Sequence, residues 1–294
     1  GIGASGSVAA QFSANVNVLT NTTTAYIDDN ALVNQDRSGV GGDQSVLVAA
    51  GNDYYFMGIA GGIAGSGEAA LTPGVGAAGI VNTVEAYIGQ SAQVDASDDV
   101  LVVARANEVF LIVSGAIAGA GQVAGAGTIT AIVMVNETHA YIDQNAVVDA
   151  GATVLVAASD ETEVDSFTGA ISGALYFGAG AGIGVIVLDK DTYAWIAAGA
   201  DVTALGNSPG GLISYNGELD SSGKFGKNND IHGLIVEAYS SEDVWTMAIA
   251  GGGGAVGLAG AVTVTVLDSD TVAYIDGGAD VNLDNTGAGD KQDI

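Results

Sequence analysis

Cysteine is absent from this chain, which excludes disulfide staples and thiolate metal sites. Proline occurs twice, at Pro73 and Pro209, so extended stretches meet few interruptions. Bases are scarce too: Arg37, Arg105, Lys190, Lys224, Lys227 and Lys291 stand against 34 Asp and Glu, for a net charge of −28. So acidic a surface gives nucleic-acid phosphates nothing to bind and disfavours an anionic membrane surface. It keeps a Gly- and Val-rich chain soluble, and it draws divalent cations. Aromatics are only 6% of 294 residues while hydrophobics reach 48%, so a core must be built from Ala, Val and Ile around 46 Gly. That is too apolar for a disordered acidic tail. Small side chains suit thin, closely stacked sheets. No signal peptide is visible and the chain begins at Gly1, which reads as a processed terminus or a window from something longer.

What is present is a repeat. Ala25-Tyr26-Ile27, Ala86-Tyr87-Ile88, Ala140-Tyr141-Ile142, Ala194-Trp195-Ile196 and Ala273-Tyr274-Ile275 share one pattern, at spacings of 61, 54, 54 and 79. The longer spacings carry insertions, placed near 34–43 and 205–232. Four residues past each Ile comes Ala (Ala31, Ala92, Ala146, Ala200, Ala279), preceded by Asn30, Ser91, Asn145, Gly199 or Gly278. Those residue types tolerate left-handed backbone, so a turn is expected there. A second strand follows, as in Val100-Leu101-Val102-Val103 and Val154-Leu155-Val156. After a Gly/Ala stretch comes a β-branched run such as Val262-Thr263-Val264-Thr265-Val266, alternating with period two. Shifting the chain by 248 matches 18 of 46 positions of residues 1–46 with 249–294, so a longer unit of four short repeats lies above the short one.

Units that bury little alone but share one register stabilise by stacking. The expected fold is all-β: a parallel β-helix (β-solenoid) of ~54-residue repeats within the 248-residue super-repeat, continuous over 1–294. A coil of roughly 18–27 residues would divide each repeat into two or three rungs, with equivalent residues roughly 10–14 Å apart. The residue after each anchor Ile alternates between acid and neutral (Asp28, Gly89, Asp143, Ala197, Asp276), so charges along the stack would be largely screened.

The rival fold is a membrane protein, because Phe110 to Val135, Phe167 to Leu188 and Val244 to Leu267 carry no charge. Dense glycine, Gly/Ala alternation of period two and the near absence of flanking Lys and Arg argue against transmembrane helices. Gly178, Gly180, Gly182 and Gly184 share one face of an extended strand. They line either a narrow solenoid interior or a sheet-to-sheet contact between protomers.

Gly115 to Gly127, Ile132-Val133, Thr138, Ala140-Tyr141-Ile142, Ala146, Val148, Ala150 and Val154-Leu155-Val156 follow in order. In this the chain resembles the repeats of giant filamentous haemagglutinin-like and leukotoxin-type bacterial adhesins. The resemblance covers most of the chain outside 205–232. It implies export, a β-helical shaft and roles in adhesion, matrix or filament building.

No catalytic constellation emerges, and no enzyme activity, catalytic residue or cofactor site is expected. His139 shares a column with Thr24, Glu85, Tyr193 and Val272, and His232 lies in an insertion where solvation is the default. Lys224 and Lys227 lack P-loop spacing. Acidic turns at Asp28-Asp29, Asp98-Asp99, Asp189/Asp191 and Asp268/Asp270 raise Ca2+, but no calcium nonapeptide or EF-hand loop is present. The 205–232 insertion, with Lys224 and Lys227, is expected either to dock on a neighbouring acidic surface or to be a tolerated loop. Asn21-Thr22-Thr23 and Asn136-Glu137-Thr138 have glycan-acceptor spacing. The expected role is structural: a segment of an extracellular or cell-surface bacterial filament or biofilm matrix whose partners are copies of itself. The alternative is the shaft of a large adhesin or toxin that meets a host or neighbouring cell surface.

Overall fold

The computed structural model describes residues 1–294 other than Arg37, Val40, Asp220, Ser222, Gly223 and Ile294. The chain winds as a parallel β-solenoid with three sheets, here called A, B and C. The first coil holds β1 (Ile2–Ser5), β2 (Val8–Ala10), β3 (Ser13–Ile27) and β4 (Leu32–Val33). The second holds β5 (Val46–Ser66), β6 (Ala69–Ile88) and β7 (Gln93–Ala96). The third holds β8 (Val100–Ala120), β9 (Val123–Ile142) and β10 (Val147–Ala150), and the fourth β11 (Val154–Ala174), β12 (Phe177–Ile196) and β13 (Asp201–Ala204). A hairpin of β14 (Leu212–Leu219) and β15 (Phe225–Ile231) precedes the fifth coil, which holds β16 (Leu234–Gly253), β17 (Val256–Ile275) and β18 (Asp280–Val281). Sheet A stacks β1-β5-β8-β11-β16, sheet C β4-β7-β10-β13-β18, and sheet B β6-β9-β12-β17 with β2 and β3 both on β6.

The pairing register corrects the expected coil length. Val154 pairs with Val100, Ile196 with Ile142 and Val148 with Val94, each 54 residues apart. One whole repeat is therefore one coil, not two or three. The Gly/Ala stretches belong to the strands themselves, as the second halves of 21-residue strands on sheet A and the first halves of 20-residue strands on sheet B. Equivalent residues lie one strand spacing apart, about 4.8 Å, instead of the expected 10–14 Å. In the Asp28–Gly89–Asp143–Ala197–Asp276 column, carboxylates two coils apart are thus separated by about 10 Å, close to a physiological Debye length. Asp28, Asp143 and Asp276 each accept a hydrogen bond from the next backbone N–H, so the column serves the turn.

That turn, from sheet B to sheet C, has the expected left-handed residue: φ is 57° at Asn30, 58° at Ser91, 56° at Asn145, 77° at Gly199 and 89° at Gly278. The first set of extra residues lies between β4 and β5, because the pairing offset falls from 61 at Leu32 with Gln93 to 54 at Val46 with Val100. The second lies between β13 and β16.

Side-chain size sets the thickness of the solenoid. Near the A–B turn, the tip, the interior is Ala: Ala64, Ala70, Ala116, Ala118, Ala124 and Ala170. Midway it widens to Phe110, Ile112, Ile132, Met134, Ile186 and Leu188. At the base, sheet C closes a triangular core of Val, Ala and Ile, among them Val94, Val148, Val202 and Ile142. Gly178, Gly180, Gly182 and Gly184 face inward, so they line the narrow interior. A Cβ on Gly180 would stand 2.3 Å from the Gly251 carbonyl oxygen of the facing sheet.

This packing makes a prediction for urea melts. Gly180→Ala loses about 1–3 kcal/mol through overpacking. Gly169→Ala, whose Cβ would point outward into open space, is neutral or stabilising by up to about 1 kcal/mol. Equal losses would contradict the inward face assigned to Gly180 on sheet B and the outward face assigned to Gly169 on sheet A.

Candidate functional site

Between the middle and base clusters, a column of polar side chains runs inside the solenoid parallel to its axis. Its members lie on inward positions of successive strands: Asn82, Asn136 and Lys190 on sheet B, facing Glu108, Asp160 and Thr162 on sheet A. All six are buried. Asn52 Nδ2 donates to Asn82 Oδ1 at 2.6 Å, and Asn82 Nδ2 donates to Glu108 Oε1 at 2.6 Å. Thr162 Oγ1 lies 3.2 Å from Glu108 Oε2 and 3.1 Å from Asp160 Oδ1. The Lys190 ammonium is 2.8 Å from Asp160 Oδ1 and 3.1 Å from Glu242 Oε1, which also accepts from Ser269 Oγ. The column therefore links coils two to five.

Burial pushes the Glu108 carboxyl up to about 8; Asp160 adds to the rise, while Lys190, Thr162 and Asn82 oppose it. The hydrogen-bond geometry asks for the same proton. Thr162 has one hydroxyl hydrogen and two carboxyl neighbours. A neutral Glu108 donates to Thr162, which then donates to Asp160. At the end of the column, burial raises Glu242, but hydrogen bonds from Ser240 and the charge of Lys190 outweigh it and hold the carboxyl below its usual range.

On the outside of sheet B, the anchor aromatics form a second axial column. Ring centroids are 5.1 Å apart for Tyr26–Tyr87, 4.9 Å for Tyr87–Tyr141, 4.3 Å for Tyr141–Trp195 and 6.2 Å for Trp195–Tyr274, with interplanar angles of at most 8°. The end rings are the exposed ones, Tyr26 at 54% and Tyr274 at 43%. The coils that carry them are open as well. Among the described residues, strand β3 pairs only with β6 and β17 only with β12, so each has one edge of unpaired backbone groups. Along β17 that edge displays large apolar side chains, Leu258, Val262, Val264 and Val266 each about half exposed.

Several residues sit elsewhere than the sequence reading placed them. Lys190, one of the six bases in the charge count, is buried. His232 is buried rather than solvated, with Nε2 3.0 Å from Asp230 Oδ1; Asp230 also meets Lys291 at 2.6 Å, and both partners hold its carboxyl well below the usual range. His139 stacks on Tyr193 at 5.5 Å on the outer face. Asp189/Asp191 and Asp268/Asp270 lie on strands, not turns, in register with each other. Among the described residues, no group of three or more His, Cys, Asp or Glu is arranged to hold a metal. Asn136 is buried within the polar column, which removes it as an accessible glycan acceptor.

The second insertion docks on the chain's own sheet A, largely through apolar and aromatic contacts. Leu212 and Ile231 pack on Leu155, Ala157 and Ile235, and Tyr215 stacks on Tyr239 at 4.4 Å. Glu237 accepts from Ser214 Oγ and the Tyr215 N–H. Lys227 lies over the Tyr215 ring, not on a neighbouring carboxylate.

The column was invisible in the sequence because Lys190 read as an ordinary base. The available signal was its place 54 residues after Asn136 and 108 after Asn82, in phase with the inward-facing Ala140 and Ile142. Comparisons with protein-family models, curated proteins and solved structures found no match to this chain.

Two variants probe the column. Because the fold favours neutral Glu108, its stabilising effect is complete below its unfolded value near 4.5 and is lost as pH rises through about 8. Glu108→Gln therefore gains on wild type as pH rises from 5 to 8.5, by on the order of a few kcal/mol. Parallel stability-against-pH curves would contradict a neutral Glu108. Lys190→Met strands Asp160 and lowers stability by about 3–5 kcal/mol at pH 7 in the same melts; a loss under 1 kcal/mol would show the ion pair to be dispensable.

Proposed function

We propose that the chain is a structural segment of an extracellular bacterial filament or matrix fibre, built by end-to-end stacking of solenoid coils. The observation that carries the reading is that the first and fifth coils are versions of one coil, so the surface that seats the second coil recurs at the fifth. At an offset of 248, β3 and β4 correspond to β17 and β18, and Ala25-Tyr26-Ile27-Asp28 recurs as Ala273-Tyr274-Ile275-Asp276. The second coil is already seated on the first, through β3 on β6 and Tyr26 on Tyr87. A surface like that of the second coil fits the fifth for the same reasons: a matching backbone ladder and an uncovered tyrosine face. Unpaired strand edges template such addition. The resemblance of the repeats to those of secreted adhesins supports the extracellular setting.

A second reading is the shaft of a larger secreted adhesin or toxin. The recurrence of the first coil within this same chain favours it, since the stacking then continues inside one polypeptide.

Electron microscopy of the purified 294-residue chain separates the two. Stacking between chains gives long uniform fibres; a shaft segment gives short rods about 24 Å tall for five coils. Val256 and Asp276 donate toward β12, so alternate residues, Thr265 among them, turn their N–H to the open edge. Thr265→Pro removes one such donor and is expected to shorten the fibres to rods with an unchanged circular dichroism spectrum. Fibres of undiminished length in the variant would count against growth through this edge.

A further inference from the structure

In the tip half of the solenoid, the usual pattern of apolar inside and polar outside is inverted. Inward positions hold Ala and hydroxyls, such as Ala116, Ala118, Ser114, Thr128 and Thr168, all buried. Outward positions on sheet A hold large apolar side chains: Ile63, Ile117 and Ile171 are 46%, 49% and 52% exposed. No charged side chain lies on sheet A between Asp165 and the turn after Ala174, or on sheet B between that turn and Asp189. This uncharged belt is about 30 Å deep on sheet A, at about 3.3 Å per residue. The acidic residues of these two sheets gather toward the base. A sheet that meets only water shows the opposite alternation.

The relief of the sheet A face is regular. Ile2, Ile63, Ile117 and Ile171 form a ridge, and Gly61, Gly115 and Gly169 form a parallel groove of about 510 Å³ beside it. Nothing inside the chain requires those glycines. A Cβ on Gly115 or Gly169 would meet nothing within 4 Å, one on Gly61 would make only an ordinary contact, and none of the three has positive φ. Glycine in a strand still costs about 0.5–1 kcal/mol each. In the fifth coil the two columns exchange, with Ile249 in the groove position and Gly251 in the ridge position, so the groove ends there. The hairpin insertion covers the base end of sheet A and leaves this half open.

We infer that this face is covered by a second copy of the chain lying alongside, the isoleucine ridge of each copy seated in the glycine groove of the other. A two-fold pairing of this kind needs one self-complementary surface, which ridge and groove provide. The contact brings no carboxylates together, because none lies on it. Four coils of belt offer on the order of 600 Å² per copy, near the ~800 Å² per partner of a stable interface. In a filament the area grows with every coil, and that growth rests on the end-to-end reading. A hydrocarbon surface fits less well, since lipid-facing sheets carry bulk where this one carries a groove, and the flanks are acidic.

The test follows the width and length of particles of the whole 294-residue chain by negative-stain microscopy, with sedimentation, from about 10 mM to about 500 mM NaCl. Wild type is expected to pass from single to double width as salt screens the acidic flanks. The double substitution Gly115→Val/Gly169→Val fills the groove, and Ile117→Asp charges the ridge. Both are expected to remain at single width with an unchanged circular dichroism spectrum and unchanged length. Length reports end-to-end stacking and width reports side-by-side pairing, so either can fail without the other. Single width of the wild type at every salt, or double width in the folded variants, overturns the pairing. Flotation of wild type with phosphatidylcholine vesicles in place of pairing overturns it in favour of a lipid surface.

Discussion

Everything in this molecule depends on parallel, in-register pairing of each coil with the coil one repeat away. A 20-residue strand of Gly, Ala, Val and Thr has no reason to stay extended by itself, and sheets A and B are too thin at the tip to bury much surface. What holds the strands is the neighbour above and below, which satisfies their backbone groups along the whole length. The same constraint places identical residue types on top of one another. It makes a column of every position, and each column amplifies what its residue does. A tyrosine becomes a ring stack, an inward Asn becomes part of a hydrogen-bonded ladder, and a glycine becomes a groove.

Columns also explain how the interior tolerates charge. Lys190 is bearable at the centre of the fourth coil because Asp160 faces it and Glu242 follows one coil on. Glu108 is bearable because Asn82 and Thr162 meet its two oxygens and burial keeps its proton on. Such a ladder favours one register over its neighbours, because sliding a strand by two residues would preserve inside and outside while separating Lys190 from Asp160. The Val, Ala and Ile interior at the base is uniform enough to permit that slip; the polar column is not.

Much of this was legible in the sequence, and the boundary has a physical reason. The Asn/Ser/Gly before each repeat Ala disclosed the left-handed turn, and the Ala-Tyr-Ile anchors disclosed the register. The number of strands per coil stayed hidden, since a period counts residues and not turns of the chain. Gly178 to Gly184 disclosed one face of an extended strand by their period of two, and of the two surroundings that face allowed it has the narrow interior, where the facing sheet arrives backbone to backbone. His232 was misplaced and Lys190 left unplaced for a common reason: a lone titratable residue gives no sign of burial until its partners, distant in sequence, are known. The hairpin insertion was recognised as an interruption, but its docking on Leu155 and Ile235 needs a tertiary neighbour to be seen.

Coil length is the claim on which the wedge shape, the columns and the open ends all rest. Diffraction or helical reconstruction from oriented fibres of the chain measures it directly. One repeat per coil predicts a meridional reflection near 4.8 Å and a four-coil super-repeat that advances about 19 Å for every 248 residues. An advance of about 40–60 Å for the same 248 residues would mean two or three rungs in each repeat and would contradict the account.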